Sequence, residues 1–197
     1  MLHPHTELRF VSEDIGYGIF ATEFIPKGTI TWVKDELDRV FTPQELEKLN
    51  PATLEHLLKY TYRNSKGEYL FCWDLTRYVN HSFEPNSMLT SMGFEIAIKD
   101  IPRGTEITND YGSLNIIEPF QCANDPEHER QFVCPDDLQR FYKTWDKLIE
   151  SALSNLSSAT QPLFKFLTTE QISEIDQINQ GAVSIPSVIN NLYKKNN

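Results

Sequence analysis

The reading turns on Arg77-Tyr78-Val79-Asn80-His81-Ser82-Phe83-Glu84-Pro85-Asn86. An arginine, a histidine and two asparagines fall within ten residues. Polar groups this dense are hard to place in a core, because each buried donor or acceptor needs a partner. Tyr78, Val79 and Phe83 nevertheless need somewhere to bury. A segment anchored by those side chains and presenting amide, imidazole and guanidinium groups suits a ligand pocket. Taken alone, Asn-His-Ser and Glu-Pro-Asn are equally ordinary turn chemistry.

Downstream, Phe94-Glu95-Ile96-Ala97-Ile98 alternates as a half-buried strand does. A Pro102-Arg103-Gly104 turn then gives way to Glu106-Ile107-Thr108-Asn109-Asp110-Tyr111-Gly112. Upstream, Leu8-Arg9-Phe10-Val11 reads as a short strand, followed by Gly16-Tyr17-Gly18 and Ile19-Phe20-Ala21-Thr22. Two glycines around an aromatic permit an unusual backbone path and close approach of a ligand, or a plain turn. They are not a dinucleotide fingerprint, since no third glycine and no helix follow. Ala21-x-x-x-Ile25-Pro26-Lys27-Gly28-Thr29 is echoed by Ala97-x-x-x-Ile101-Pro102-Arg103-Gly104-Thr105, which predicts two similar hairpins.

Between these strands, Thr42-Pro43-Gln44-Glu45 is a helix start with a capping box and Pro at the first helical position. Leu54, Leu57 and Leu58 predict a second short helix. Tyr60-Thr61-Tyr62 leads into the turn at residues 64–67, and residues 68–73 read as a strand. A β-rich domain therefore ends near Gly112. Residues 118–135 hold two cysteines, a histidine and many charges with little periodicity. Residues 136–150 are helical, carrying Leu138, Phe141, Trp145 and Ile149 at helix spacing. Residues 151–161 read as a polar linker, Thr168 to Gln171 as another helix cap, and the last residues as a frayed end.

The chain has 197 residues and a formal net charge of −10. That size suits one domain with a sizeable core and an appendage. The charge argues against direct nucleic-acid binding, which needs Lys and Arg to meet phosphates. It is compatible with basic peptide partners. No apolar run is long enough to cross a bilayer, and residues 1–7 lack the regions of a secretory signal. The three cysteines, Cys72, Cys122 and Cys134, are an odd and sparse set, which points to a reducing, cytoplasmic compartment.

In combination and order, these segments resemble the SET-domain protein-lysine methyltransferases. Gly16-Tyr17-Gly18 is similar to their N-terminal Gly-x-Gly turn. Arg77-Tyr78-Val79-Asn80-His81-Ser82-x-x-Pro85-Asn86 resembles their Arg-Phe-x-Asn-His-Ser-Cys-x-Pro-Asn motif. Glu106-Ile107-Thr108-Asn109-Asp110-Tyr111 resembles their Glu-Leu-Thr-x-Asp-Tyr motif. The resemblance implies a mainly β fold of small sheets around a pseudoknot. The expected organisation is a SET domain over residues 7–112, a post-SET-like segment over 113–135 and a helical C-terminal extension over 136–197. It implies methyl transfer from S-adenosylmethionine to a lysine of a protein or peptide substrate. An alternative is a catalytically inactive SET-like scaffold that recruits a partner through its C-terminal helices.

By the same resemblance, Gly16, Tyr17, Gly18, Asn80 and His81 would hold the cofactor, and Tyr111 would sit beside the transferred methyl and orient the amine. Arg77 would pair with the cofactor carboxylate, or brace the crossing through Asp74 or Asp110. Tyr60 or Tyr62 would line the lysine channel, with Tyr60 favoured. His81 is expected as a binder and not as a base, since the family is usually described as releasing the proton to solvent. The family often has a zinc-binding cysteine where Phe83 stands, and a downstream Cys-x-Cys-x4-Cys. Here Cys122 fits the first downstream position, the second falls on Asn124, His128 lies near the third and Cys134 is extra. A structural zinc wants four N or S ligands. The expectation is therefore a metal-free lid packed on Phe83, completed by Phe120, Phe132 and the helix around Trp145. Asn109 stands where many relatives carry Phe or Tyr, a position that influences how many methyls are added.

Overall fold

The computed structural model describes residues 1–122 and 128–194; Asn124 and the residues 195–197 of the expected frayed end lie outside them. Strands β1 (Thr6–Ser12) and β2 (Gly16–Ala21) form an antiparallel hairpin. Strands β3 (Ile30–Val33) and β4 (Arg39–Phe41) lead to helices α1 (Pro43–Leu46) and α2 (Pro51–Lys59). The first begins at the predicted Thr42–Glu45 capping box, and the second at Asn50, whose side chain accepts from Thr53 N–H at 2.9 Å. Then come β5 (Thr61–Arg63), β6 (Tyr69–Phe71), β7 (Asn80–His81), β8 (Ser87–Leu89), β9 (Phe94–Ala97) and β10 (Glu106–Asn109). A short pair, β11 (Phe120–Gln121) and β12 (Phe132–Val133), precedes the long helix α3 (Asp137–Leu153) and α4 (Thr169–Asn179). The architecture is mainly β, as predicted.

Besides the β11-β12 pair, the described residues form three small sheets, ordered β1-β2-β10-β7, β3-β9-β8 and β4-β6-β5. The first positions the site. β10 pairs antiparallel with β2 and parallel with β7, setting Asn80 beside Thr108 and His81 beside Asn109. A parallel pair needs a crossover between its strands, and here that crossover carries β8 and β9.

The echoed turns lock onto each other. Ile25 and Ile101 exchange both backbone hydrogen bonds, at 2.9 and 2.8 Å. Gly28 N–H donates to Ala97 O, and Gly104 N–H to Ala21 O. Both glycines have φ near +90°, at 90° and 82°, a region that side chains with a Cβ avoid.

The strand expected to be half-buried, β9, is buried on both faces. Phe94 and Ile96 meet Leu138, Trp145, Ile149 and Leu153 of α3 in the main core, which α4 joins through Ile175. The C-terminal helices thus complete the core of the sheet. The stretch read as a polar linker is pinned too: Gln161 accepts from Ile30 N–H at 2.9 Å and donates to Gly28 O at 2.7 Å. Its amide satisfies backbone groups that a polar composition alone does not reveal. Among the described residues no helix is long and apolar enough to cross a membrane.

Candidate active site

The parallel pairing of β7 and β10 brings His81 against Tyr111. The Tyr111 N–H donates to His81 Nδ1 at 3.1 Å, so the neutral imidazole carries its proton on Nε2. The Tyr111 hydroxyl donates to Val79 O at 2.6 Å. Rings of Phe83, Tyr111 and Phe120 stand 4.5, 5.5 and 6.0 Å from the buried His81 ring. Asn80 Nδ2 donates to Tyr17 O at 3.0 Å and to Glu106 Oε1 at 2.7 Å. Gly18 is required at this junction. A Cβ there would lie 2.2 Å from Glu106 Oε1 and 2.9 Å from Asn80 Nδ2. Gly16 has φ +84° and open space beside it. Tyr17 is 49 % exposed, edge-on to Phe10 and Tyr78. Gly18, Asn80, His81 and Tyr111, remote in sequence, therefore converge.

Beside them opens a cavity of about 470 Å³. Tyr60, Tyr62, Trp32, Val79 and Tyr111 are among its walls. Leu58, Lys59, Ile117 and Glu118 are exposed lining residues and form its rim, whereas Trp32, Cys72, Glu95 and Asn109 are buried and form its floor. Gly16, Tyr17, Gly18, Asn80 and His81 stand outside the lining, and Tyr111 belongs to both groups. Five buried polar atoms without a partner among the described residues sit on the lining: Trp32 Nε1, Thr61 Oγ1, Arg63 Nε, Thr76 Oγ1 and Asn109 Oδ1. Orphaned groups are rare in folded interiors and concentrate where a ligand is received.

Electrostatics follow from the packing. Burial first, and then the carboxylates of Glu95 and Glu106, push the Tyr111 phenol above its ordinary range, so it keeps its proton near neutrality. Burial pushes Glu95 up to about 7, opposed by bonds from Asn109 Nδ2 at 2.8 Å and Ser87 Oγ at 3.3 Å. Sequence reasoning missed Glu95. Alternation along β9 put it on a solvent face, but that face carries Trp32 opposite it and looks onto the cavity. The available signal was a lone acid within an otherwise apolar strand.

Arg77 lines the cavity and braces the chain through backbone. Its Nη1 donates to Trp73 O at 2.8 Å and Asp74 O at 2.7 Å, with Cys72 O at 3.5 Å. Of the two acids expected as partners, Asp74 accepts instead from Leu2 N–H and Thr76 N–H, and Asp110 binds Arg130.

The segment after Tyr111 is held by apolar packing and by one cation. Phe83, Cys122 and Val133 form a small core that Tyr111 and Ile116 complete, and Phe83 stacks on His128 at 5.0 Å. Cys122, His128 and Cys134 are not brought together; Cys134 lies with Asp136 and Asp137. The fastening is Arg130. Its guanidinium binds Asp110 at 2.5 Å and Asp137 at 2.7 Å, and lies 4.5 Å from the ring centres of Phe83 and Phe141. Phe120 reaches His81 and Tyr111, and the helix around Trp145 takes part through Asp137 and Phe141, which hold Arg130 against Phe83; Phe132 is 52 % exposed, and Trp145 itself turns into the main core.

Residues 16–112 match the SET domain family. The chain is 28 % identical over 127 residues to the variant-silencing SET domain-containing protein of Plasmodium falciparum, a match covering 56 % of this chain and 5 % of that protein's length. The methyltransferase domain of human histone-lysine N-methyltransferase SETMAR is 21 % identical, with a TM-score of 0.47, covering 68 % of this chain and 59 % of that one. A Plasmodium falciparum structure provisionally described as a histone methyltransferase is 20 % identical, with a TM-score of 0.39, covering 56 % and 95 %.

Proposed function

From the premise that residues 16–112 of this chain are a SET domain, we propose that it transfers a methyl group from S-adenosylmethionine to a lysine side chain of a protein or peptide. The carrying observation is the double role of Tyr111, bonded to His81 on one side and walling an aromatic cavity on the other. The parallel pairing of β7 with β10 supports the family's threaded crossing.

The residues outside the cavity fit the cofactor. The open backbone at Gly16, the exposed ring of Tyr17, the Asn80 amide and the His81 and Tyr111 junction offer stacking, donor and acceptor groups. Gly18 contributes by admitting Glu106 and Asn80, and Arg77 acts as the brace. When bound, S-adenosylmethionine supplies an electrophilic methyl on a positive sulfur. The Tyr111 hydroxyl donates its hydrogen bond to Val79 O, so the phenol oxygen meets its other neighbours as an acceptor. Such an oxygen holds a polarised methyl through C–H···O contacts. The amine arrives through the cavity. It must be neutral to attack, although its unperturbed pKa is ~10.4. Walls of Tyr60, Tyr62 and Trp32 exclude water and favour the neutral form. Alignment by these walls lowers the barrier further. The apolar faces of α3 and α4 are spent in the chain's own core, which gives a recruiting scaffold no support.

A lysine-peptide array with labelled cofactor, read by mass spectrometry, tests the reading. Tyr111→Phe should lower turnover by about 10²-fold or more while the affinity for S-adenosylmethionine, by titration calorimetry, stays within a few-fold. Unchanged turnover would remove Tyr111 from its role. Absence of cofactor binding by the unaltered protein would sink the activity itself.

A further inference from the structure

Resting on that reading, we propose that Glu95 is the acceptor at the floor of the amine cavity: it receives the substrate lysine as its ammonium and takes the proton that must leave before attack. The lining residues define the direction of approach. Exposure falls from the rim, where Leu58 is 41 % and Ile117 50 % exposed, to Glu95 at 8 % and Asn109 at 1 %. An incoming side chain therefore meets the half-buried tyrosine rings first and the buried Trp32, Glu95 and Asn109 last. Aromatic walls around an acid are a site for a cation, attracted by ring faces and paired by the carboxylate.

The carboxyl is held for this task. Asn109 Nδ2 and Ser87 Oγ fix it, and Ser87 Oγ is itself bonded to Thr31 Oγ1 at 2.6 Å. The other amide atom, Asn109 Oδ1, has no partner among the described residues, so it offers the ammonium a second acceptor beside Glu95. The bond to Glu95 gives the buried Asn109 amide a reason to stand at this floor.

Of Trp32, Cys72, Glu95 and Asn109 at the floor, Glu95 alone carries a carboxyl group. The titratable groups facing Glu95 are Tyr62 on β5, Cys72 after β6 and Tyr111 after β10, and burial pushes all three up, so they stay protonated near neutrality. Trp32 faces it from β3 and Ser87 from β8. Among the described residues no ion pair involves Glu95. The remaining charged lining residues are Lys59, Arg63, Arg77 and Glu118. Burial raises Glu95 to about 7, which leaves it ionised just above neutrality and basic enough to accept a proton.

The step balances within the site. One Nζ–H bond of the lysine breaks and an O–H bond forms on Glu95. The nitrogen keeps the electron pair with which it attacks the methyl carbon, and the carboxyl returns the proton to solvent as product leaves. Water exclusion by the rings assists, since it disfavours the ammonium.

Glu95→Gln keeps the shape and removes the acceptor. In the unaltered protein, kcat/KM for the best peptide of the array should rise with pH through about 7, as Glu95 ionises. In Glu95→Gln that limb should vanish and the plateau fall by about 10²-fold, with cofactor affinity unchanged within a few-fold. Equal rates and equal pH profiles in the two proteins would overturn the role of Glu95 and leave the methyltransferase reading standing. An unaltered protein that neither binds cofactor nor methylates any peptide would overturn both. Should the variant fail to fold, carboxyl ¹³C NMR of the unaltered protein decides. A glutamate resonance titrating near neutrality should move to lower pH when the peptide is added, and no movement overturns the proposal.

Discussion

Replacing Arg130 by methionine should cost about 3 kcal/mol, the lower end of what breaking a buried ion pair costs. The figure follows from what the guanidinium leaves behind. Asp110 and Asp137 are each 1 % exposed, and Arg130 binds them at 2.5 and 2.7 Å. Burial alone would lower the pKa of Arg130, but the bonds from both acids raise it, so the cation is firmly retained. Removal strands two carboxylates away from water. Asp110 keeps the Gly112 N–H at 3.0 Å and Asp137 keeps the Cys134 N–H at 2.9 Å, which is why the upper end of the range is not expected. Methionine retains a stem against Phe83 and Phe141, so the loss reports charge rather than packing. Urea unfolding at neutral pH measures it. The triple change Arg130→Met, Asp110→Asn, Asp137→Asn should recover at least half, because neutral amides need no counter-charge. A loss below ~1 kcal/mol, the worth of an exposed pair, would refute the reasoning, as would a triple variant no more stable than the single one.

Gly18→Ala should displace either Glu106 or Asn80, because the new methyl would fall 2.2 Å from Glu106 Oε1. Losing the Asn80 bonds should cost about 1–3 kcal/mol in denaturant unfolding and weaken S-adenosylmethionine binding in calorimetry; an unchanged protein would contradict the close packing. Glu95 should also write a pH dependence into stability. Burial pushes its carboxyl up to about 7 in the fold against an ordinary value of about 4.5, so the folded state binds more protons than the unfolded chain between those pH values. Stability from this group is full below pH ~4.5 and is lost as pH rises toward 7, by about 3 kcal/mol. The difference between the unaltered protein and Glu95→Gln, measured by unfolding from pH 4 to 8, should show that slope, and a flat difference would mean that Glu95 titrates alike in the folded and unfolded chain.

Local chemistry carried much of this structure in the sequence. The capping boxes at Thr42 and Thr168 start helices where they stand, the glycines after Pro26 and Pro102 turn the chain, and the decapeptide around His81 lies beside Tyr111. Side chains that act across long separations were not legible. Gln161 sits in a polar stretch, and nothing nearby shows that its amide serves Gly28 and Ile30. Arg130 is one charge among several, and only the fold makes it the partner of Asp110 and Asp137. Glu95 looked like the polar half of an alternating strand because alternation assumes water on one face. Here α3 covers one face of that sheet and the cavity occupies the other.

The reciprocal turns at Ile25 and Ile101 bear on how the chain reaches this state. Apart from one bond inside each, Thr29 N–H to Pro26 O and Thr105 N–H to Pro102 O, the backbone partners of each turn belong to the other, and most of the domain lies between them in sequence. Neither can be completed early by neighbours along the chain, so loop closure must be met before either is rewarded. Folding should accordingly be slow and concerted, and a polypeptide severed between the two should lose both together, since no fragment holds a whole set of bonds.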